Sequence, residues 1–263
     1  MHSRIDSSFT RTGSRTSIDA LHEAGALRLR LPRGPNCVAT LVNTGGGLVA
    51  GDRVEMTVAA QPGTDLAVTS VAAEKVYRAA DAAITTVATH LSVAENAALA
   101  WLPQETILFD GARLDRSLTV ALAGTSTFLG AEMLVFGRLA AGETAMSGLL
   151  RDRWRIRRNG QLIFADESAL DGAIGALLDR PALGGGARAV GLIIRVGTTG
   201  QADHLDKLRA ALEARAGTVE AGASLVGDVL VGRLLARSPA DLRVTMVEAL
   251  QALGAIPMQR IWT

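Results

Sequence analysis

Cysteine and histidine are scarce in this chain. Its 263 residues include one cysteine, Cys37, and four histidines that lie far apart in the sequence. A single cysteine excludes an internal disulfide framework and favours a reducing compartment. Histidines without ligand spacing exclude a compact zinc site or a high-affinity transition-metal site built by one chain. We therefore expect no tightly bound metal or other cofactor.

Aromatic residues and surplus charge are also scarce. Only 3% of the residues are aromatic, so the core must be built mainly from alanine, valine and leucine, and the net charge is +1. Such a balance argues against general binding of nucleic acid or of a membrane surface. No apolar run is long enough to span a bilayer, and the polar, arginine-rich residues 1–17 lack the apolar segment of a secretory signal. We expect a cytoplasmic protein.

The common catalytic motifs are absent. No serine lies in a Gly-x-Ser-x-Gly elbow, and the chain contains no His-Glu-x-x-His sequence. Cys37 is more typical of a small buried apolar residue than of a nucleophile. The sequence therefore does not predict an enzyme active site.

The glycine-rich segment at residues 43–52, NTGGGLVAGD, does not fit a phosphate-binding loop. A Walker loop ends in Gly-Lys-Ser or Gly-Lys-Thr, whereas this one ends in Gly51, Asp52 and Arg53. A dinucleotide-binding loop opens a helix, whereas the residues that follow alternate like a strand. We predict that the glycines serve a positive φ or close backbone packing. The predicted structural glycines are Gly45, Gly46, Gly47 and Gly51.

Apolar residues alternate with polar ones over most of the first two-thirds of the chain. Val54, Met56 and Val58 follow this pattern, and after a turn at residues 61–63 the residues 66–71 are predicted to form the returning strand. Asn159-Gly160 separates two more alternating runs, which is a strong hairpin signal. Short strands with frequent turns predict a mostly β fold in residues 1–188.

The last third combines strands with helices. Residues 190–196 form a continuous apolar run typical of a buried strand, and residues 225–235 are predicted as another strand. Leucines at helical spacing predict a helix at 202–216, and Ser238-Pro239 supplies a cap before a second helix at 242–253. We therefore predict that residues 189–263 contain strands plus two α-helices.

Four segments carry a family resemblance. GGGLVAGD, AAEKVYR, WLPQETILFDGAR and FLGAEMLVFGRLAAGE occur in this order and closely resemble the urease accessory protein UreD family, also called UreH. The resemblance covers nearly the whole chain, and the third segment is highly specific. It implies one UreD-like domain over residues 1–263, with a helically coiled multi-strand β-sheet body.

The resemblance also implies a function. Members of this family are non-enzymatic urease maturation factors that bind apo-urease and the accessory proteins UreF and UreG, the latter a GTPase. In the mechanism proposed for the family, nickel(II) passes through water-filled passages inside the protein on its way to the urease active site. Nickel would then be in transit, because a relay must release the ion that it carries.

Acidic residues embedded in apolar sequence are the candidates for such a passage, because burying an unpaired carboxylate is costly. Asp52 follows LVAG, Glu132 lies inside FLGAEMLVFG, and Asp166 follows LIFA. For each residue separately, a salt bridge or a turn-capping role is the simpler explanation. We predict that at least one of the three lines a polar interior.

Two places are candidates for partner binding. Lys75, Tyr77 and Arg78 form a basic and aromatic cluster, for which a solvated face is an equally good interpretation. The helix at 242–253 and the tail at 259–263, with its Ile261-Trp262 pair, are predicted to dock the UreF-like partner.

Two rival functions stay open at this point. Coiled β folds often carry carboxylate pairs, and Glu105 with Asp110 could be the pair of a carbohydrate-active enzyme. The other rival is a stand-alone nickel metallochaperone, which would bind nickel tightly. The scattered histidines argue against that second alternative.

Overall fold

The computed structural model describes residues 1–143 and 146–255 of the protein, with no account of the side chain of Ala140. Over these ranges the chain forms seventeen β-strands and three α-helices, and the strands coil into a β-solenoid-like body. The predicted mostly β, helically coiled fold is thus confirmed. None of the described helices is both long and apolar enough to cross a membrane.

The strands form two sheets. The first sheet has the order β14-β13-β11-β8-β5-β1-β2. Its strands, in chain order, are β1 (His2–Thr12), β2 (Arg15–Ala24), β5 (Arg53–Ala60), β8 (Thr85–Val93), β11 (Ala112–Leu122), β13 (Gly148–Arg158) and β14 (Gln161–Gly172).

The second sheet has the order β16-β17-β15-β12-β9-β6-β4-β3, and two short strands, β7 and β10, extend it beside β12. Its strands are β3 (Leu27–Arg30), β4 (Cys37–Asn43), β6 (Asp65–Ser70), β7 (Glu74–Val76), β9 (Ala98–Leu102), β10 (Thr106–Leu108), β12 (Thr127–Phe136), β15 (Ala189–Val196), β16 (Val219–Val226) and β17 (Val229–Ala236).

The middle of the chain alternates between the two sheets. Strands β5, β8, β11 and β13 are parallel neighbours in the first sheet, and β4, β6, β9 and β12 are parallel neighbours in the second. The predicted return of residues 66–71 is therefore wrong in one respect. The turn at Pro62-Gly63 carries the chain from β5 to β6 in the opposite sheet, because in a coil of two sheets the chain passes from one sheet to the other at every half turn.

Each strand of the coil turns alternate side chains toward the space between the sheets. Ile5, Phe9, Val120 and Trp154 from the first sheet are almost fully buried there, as is Phe128 from the second. This alternation is the one that the sequence showed, and it places the main apolar core between the two sheets.

The C-terminal helices cover the outer face of the second sheet. These are α2 (Gln201–Glu213) and α3 (Pro239–Ala252), which match the two predicted helices closely. The Ser238 hydroxyl accepts a hydrogen bond from the Asp241 amide, as the predicted cap requires. Apolar side chains of both helices form a second core with β15 and β17.

The structure confirms one local prediction and contradicts another. The Asn159-Gly160 hairpin is confirmed, with both residues at positive φ between β13 and β14. Residues 225–235 are not one strand, because a turn at Gly227 divides them between the antiparallel strands β16 and β17. A short helix that the sequence did not predict, α1 (Ile174–Leu178), follows β14.

Candidate functional site

A cavity of about 200 Å³ lies between the two sheets. Its walls are mainly apolar, with Met56 and Val87 on the first sheet and Leu41 and Trp101 on the second. Ten polar or charged side chains also line it: Asn43, Ser70, Glu74, Lys75, Thr89, Gln104, Thr106, Arg116, Ser117 and Glu132.

Arg116 is the centre of a buried ionic cluster at this cavity. Its Nε and Nη2 donate to the two carboxylate oxygens of Asp152, at 3.0 and 2.8 Å. Nη2 also lies 2.7 Å from Glu132 Oε2 on the opposite sheet, and Nη1 donates to the Thr106 hydroxyl at 3.1 Å. Trp154 Nε1 completes the cluster with a 3.0 Å hydrogen bond to the same Glu132 oxygen.

The strand phase explains why these groups meet. Arg116 on β11 and Asp152 on β13 are directly paired in the parallel register, so their side chains project together. Both positions have the inward phase of their strands, and Glu132 faces them from β12. The cluster thus places two carboxylates and one guanidinium in an interior where a charge is poorly solvated.

The two carboxyl groups respond to this environment in opposite directions. Burial raises the pKa of Glu132 well above its ordinary value, against the influence of Arg116, and the neighbouring Asp152 adds to the rise. Burial also opposes ionisation of Asp152, but Arg116 prevails and lowers the pKa of that carboxyl. Asp152 is therefore the carboxyl group that stays ionised beside Arg116. Glu132 is the one whose protonation depends more on its surroundings.

A second carboxyl group, that of the half-buried Glu74, lines the same cavity. Both oxygens of Glu74 accept hydrogen bonds from Asn43 Nδ2, at 3.0 and 3.1 Å. Burial raises the pKa of Glu74, and the Asn43 hydrogen bond offsets only part of that effect. Glu74 on β7 and Glu132 on β12 belong to the same sheet, so the second sheet supplies two carboxyl groups to the cavity.

Asp52, one of the three predicted passage residues, is buried but does not line this cavity. Its Oδ1 accepts a 2.6 Å hydrogen bond from the Met1 amino group, and its Oδ2 accepts a 2.9 Å hydrogen bond from the Val49 amide. These contacts fix the turn at the end of the glycine segment, as a turn-capping carboxylate does.

Asp166 also lies away from the cavity. It is paired in register with Trp154 on the first sheet, and its Oδ1 lies 2.5 Å from Arg233 Nη2 on β17 of the second sheet. The ion pair joins β14, the edge strand of the first sheet, to β17 of the second. Of the three predicted residues, the structure places only Glu132 on the cavity.

The sequence reasoning missed Glu74, Arg116 and Asp152. One signal was present, because Arg116 in LDRSL and Asp152 in RDRWR occupy the phase of each strand that otherwise holds apolar residues. A charge in the buried phase indicates an interior polar group, whereas apolar flanking residues alone do not.

The cavity is a poor tight metal site. Across residues 1–143 and 146–255, no group of three or more histidine, cysteine, aspartate or glutamate side chains is placed to hold a metal ion. Glu132 and Glu74 offer oxygen ligands, and Arg116 repels a cation beside Glu132. The described residues of the cavity therefore offer carboxylate oxygens without a preformed cluster of three ligands.

The glycine segment packs against the strand that leads into the predicted interface cluster. The Leu48 amide donates to the Lys75 carbonyl, and the Tyr77 hydroxyl donates to the Gly46 carbonyl at 3.0 Å. Gly47 has a φ of 150°, and a side chain there would meet the Tyr77 ring at 2.4 Å. Gly46 and Gly51 also have positive φ, whereas Gly45 does not and instead donates its amide to Asn43 Oδ1.

Aromatic and arginine side chains meet where three parallel strands end. Tyr77 follows β7, Phe109 follows β10 and Arg138 follows β12. The Tyr77 and Phe109 rings contact edge to face at 4.9 Å, and the Arg138 guanidinium lies 4.4 Å above the Phe109 ring. Arg78, beside them, pairs with Asp110 and leaves most of its side chain exposed. Tyr77 and Arg78 thus belong to a larger surface cluster, whereas Lys75 is one of the residues that line the cavity. Ile261 and Trp262 lie outside the described residues.

The predicted carbohydrate-active pair is not assembled. Glu105 pairs with Arg243 on α3, and Asp110 pairs with Arg78 and accepts hydrogen bonds from Ser147. Strand β10 lies between the two carboxylates, and each is neutralised by its own arginine. A glycosidase pair must face one shared bond from two sides, which this arrangement does not favour.

Comparison with known proteins identifies the family. The sequence profile described as UreD urease accessory protein matches residues 1–263. A urease accessory protein UreD of Methylobacterium sp. (strain 4-46) is 45% identical over 254 residues, which cover 95% of this chain and 90% of the relative. Urease accessory protein UreD 3 of Methylorubrum extorquens is 43% identical, covering 100% of this chain and 88% of the relative. Urease accessory protein UreD of Xanthobacter autotrophicus is 45% identical, covering 95% and 86%. The chain therefore belongs to the UreD urease accessory protein family.

Proposed function

We propose that this protein is a non-catalytic urease maturation factor that passes Ni²⁺ through its interior cavity toward apo-urease. The name shared by its relatives supports the urease role. The observation that carries the nickel step is the position of Glu132, a buried carboxylate that lines the cavity beside Arg116.

The chemistry of the cavity suits transit. A cation entering between the sheets meets oxygen ligands at Glu74 and Glu132, which attract it electrostatically. Nickel prefers nitrogen and sulfur ligands for tight binding, so carboxylate and water ligation holds it loosely. Arg116 weakens this attraction, because its positive charge offsets the negative charge of ionised Glu132 and repels the ion. An ion held in this way can move on to a urease site with better ligands.

Docking of partners is assigned to two surfaces. Helix α3 presents Val244, 43% exposed, on its outer side, and we place the UreF-like accessory protein there. The cluster of Tyr77, Arg78, Phe109 and Arg138 has the aromatic and arginine composition of a binding hot spot. It is the candidate surface for apo-urease, and the UreG-like GTPase joins through the UreF-like protein.

The decisive experiment measures nickel in matured urease. Glu132→Gln and Glu74→Gln should leave the accessory complex assembled but lower the nickel content and activity of the urease that it matures. Glu167→Gln is the matched control, because Glu167 pairs with Arg155 and does not line the cavity. Melting curves must accompany each variant, since a change in a buried carboxylate also affects stability.

The outcomes separate cleanly. Reduced nickel transfer in the two cavity variants, with a normal Glu167→Gln control, supports a passage between the sheets. If Glu132→Gln, Glu74→Gln and the double variant all yield fully loaded urease, nickel does not travel past these residues. Measurable nickel binding by the isolated chain at high affinity would favour a stand-alone metallochaperone instead.

A further inference from the structure

The second sheet is interrupted at the level of the cavity. Strand β6 ends at Ser70 and β7 begins at Glu74, while β9 ends at Leu102 and β10 begins at Thr106. The intervening residues 71–73 and 103–105, here called the rim, lie side by side because their flanking strands are parallel neighbours. All of the rim except Glu105 lines the cavity.

A chain of hydrogen bonds joins the two halves of the rim. The Gln104 amide donates to the Ser70 hydroxyl at 2.9 Å, and that hydroxyl donates to the Ala72 carbonyl at 3.0 Å. The Glu74 amide donates to the Glu105 carbonyl at 2.9 Å. The Val71 amide also donates to the Leu41 carbonyl at 2.9 Å. These bonds contribute to the local stability of the rim.

Arg243 of α3 reaches the rim from the outer layer. Its Nη1 donates to the carboxylate of Glu105 and its Nη2 donates to the side-chain carbonyl of Gln104, two residues about 140 positions earlier in the chain. The Gln104 side chain is almost fully buried, and Thr106, two residues later, accepts a hydrogen bond from Arg116. Contacts therefore run from the outer helix to the cluster that holds Glu132.

The space around this contact is loosely packed. A pocket of about 120 Å³ lies between α3 and the second sheet, lined by Glu105, Met133, Val135, Leu242 and Arg243 among others. At this pocket, the Arg243 guanidinium joins α3 to the rim through its two contacts with Glu105 and Gln104. A closely packed interior transmits strain but leaves little room for local movement, whereas this pocket leaves room for Glu105 and Arg243 to shift.

We propose that Arg243 is a positioning residue that couples α3 to the rim, so that a protein docked on α3 sets how readily the cavity opens through residues 71–73 and 103–105. This inference rests on the proposed function for its docking partner and its cargo. The forked guanidinium holds a carboxylate and an amide oxygen at once, which a lysine ammonium does not reproduce with the same geometry.

Amide hydrogen exchange on the full chain, alone and with the UreF-like protein bound, tests the coupling. In the wild type, partner binding should change exchange at the Val71, Glu74 and Gln104 amides by about fivefold or more. In Arg243→Met the partner should still bind, but these amides should no longer respond to it. Arg243→Lys, which keeps the charge without the fork, should respond less than the wild type.

Arg215→Met is the matched control. Arg215 pairs with Glu248 between α2 and α3, so its loss weakens a helix contact without touching the rim. The control should keep the response of the rim. The charge-exchanged pair Arg243→Glu with Glu105→Arg should restore part of the response that Arg243→Met loses, because it re-forms an ion pair between α3 and the rim.

Two results would overturn the coupling: a rim that ignores partner binding in the wild type, and an equal response in the wild type and Arg243→Met. The nickel measurement is independent of both. If the rim responds through Arg243 but urease receives nickel equally in every cavity variant, the coupling stands and the passage is wrong.

Discussion

Trp154 and Glu132 join the two sheets through one hydrogen bond. The indole N–H of Trp154 in the first sheet donates to Glu132 Oε2 in the second at 3.0 Å, and the indole itself is almost fully buried. The bond favours the ionised carboxylate, as Arg116 does, whereas burial disfavours it. The charge of Glu132 therefore depends on a small number of neighbours.

Replacing Trp154 by phenylalanine should destabilise the fold by about 1–3 kcal/mol, because a core void forms and Glu132 loses a donor. Urea unfolding measures the loss. Trp101→Phe on the second sheet is the control for ring size at the cavity. A Trp154 variant that is no less stable than the wild type would show that the indole hydrogen bond contributes nothing.

Arg116→Met should be far more damaging than Glu132→Gln. Removing the guanidinium leaves Asp152 and Glu132 buried together without a cation, at a cost of about 3–5 kcal/mol. Glu132→Gln leaves the matched Arg116–Asp152 pair intact and should change stability by about 1 kcal/mol or less. Equal losses in the two variants, measured by urea unfolding, would refute this division of roles.

Glu74 makes stability depend on pH. Its pKa is raised above 4.5 on folding, so the folded chain binds more protons than the unfolded chain above that value. The contribution of Glu74 to stability therefore falls as pH rises from about 4.5 through the folded pKa, and is constant above it. The glutamine of the Glu74→Gln variant does not titrate. The stability of the variant relative to the wild type should therefore increase as pH rises through this range. Unfolding curves between about pH 4 and pH 8 measure the gain, and a constant difference would contradict it.

Alanine substitutions at neighbouring positions of the glycine segment should destabilise the protein to different extents. Gly46→Ala meets open space and costs about 1 kcal/mol for its positive φ, whereas Gly47→Ala also collides with Tyr77 and should cost about 2–4 kcal/mol. Gly222→Ala in β16, with open space and no positive φ, is the control. Melting curves with and without millimolar ATP or GTP should coincide, and a rise with nucleotide would revive the phosphate-loop interpretation.

A substitution on the outer side of α3 tests the docking surface better than a deletion. Leu242, Met246 and Leu250 of α3 are fully buried, so removing residues 238–263 would expose the second core. Val244→Asp should instead weaken binding of the UreF-like protein about tenfold or more without unfolding the chain. Val226→Asp, at an exposed position on β16, is the control, and equal binding by both variants would move the docking site elsewhere.

Local patterns in the sequence were enough for much of the fold. Period-two alternation predicted the strands of the body, Asn159-Gly160 predicted its hairpin, and Ser238-Pro239 marked the start of α3, because these features depend on neighbouring residues. The prediction of a single strand at residues 225–235 was wrong, because one apolar run can contain two strands when a glycine such as Gly227 forms a turn between them.

Only part of the candidate site could be predicted from the sequence. Glu132 was identifiable as an acid within an apolar strand, but Asp52 and Asp166 have the same local signature and lie away from the cavity. Whether such a carboxylate faces a cavity, an amino group or an arginine depends on strands that are distant in sequence. Arg116 meets Asp152 and Glu132 only because the coil stacks β11 on β13 and faces both with β12. Sequence fixes the phase of each strand by local sterics, whereas the register between strands, and with it the charge balance of the interior, is decided by tertiary packing.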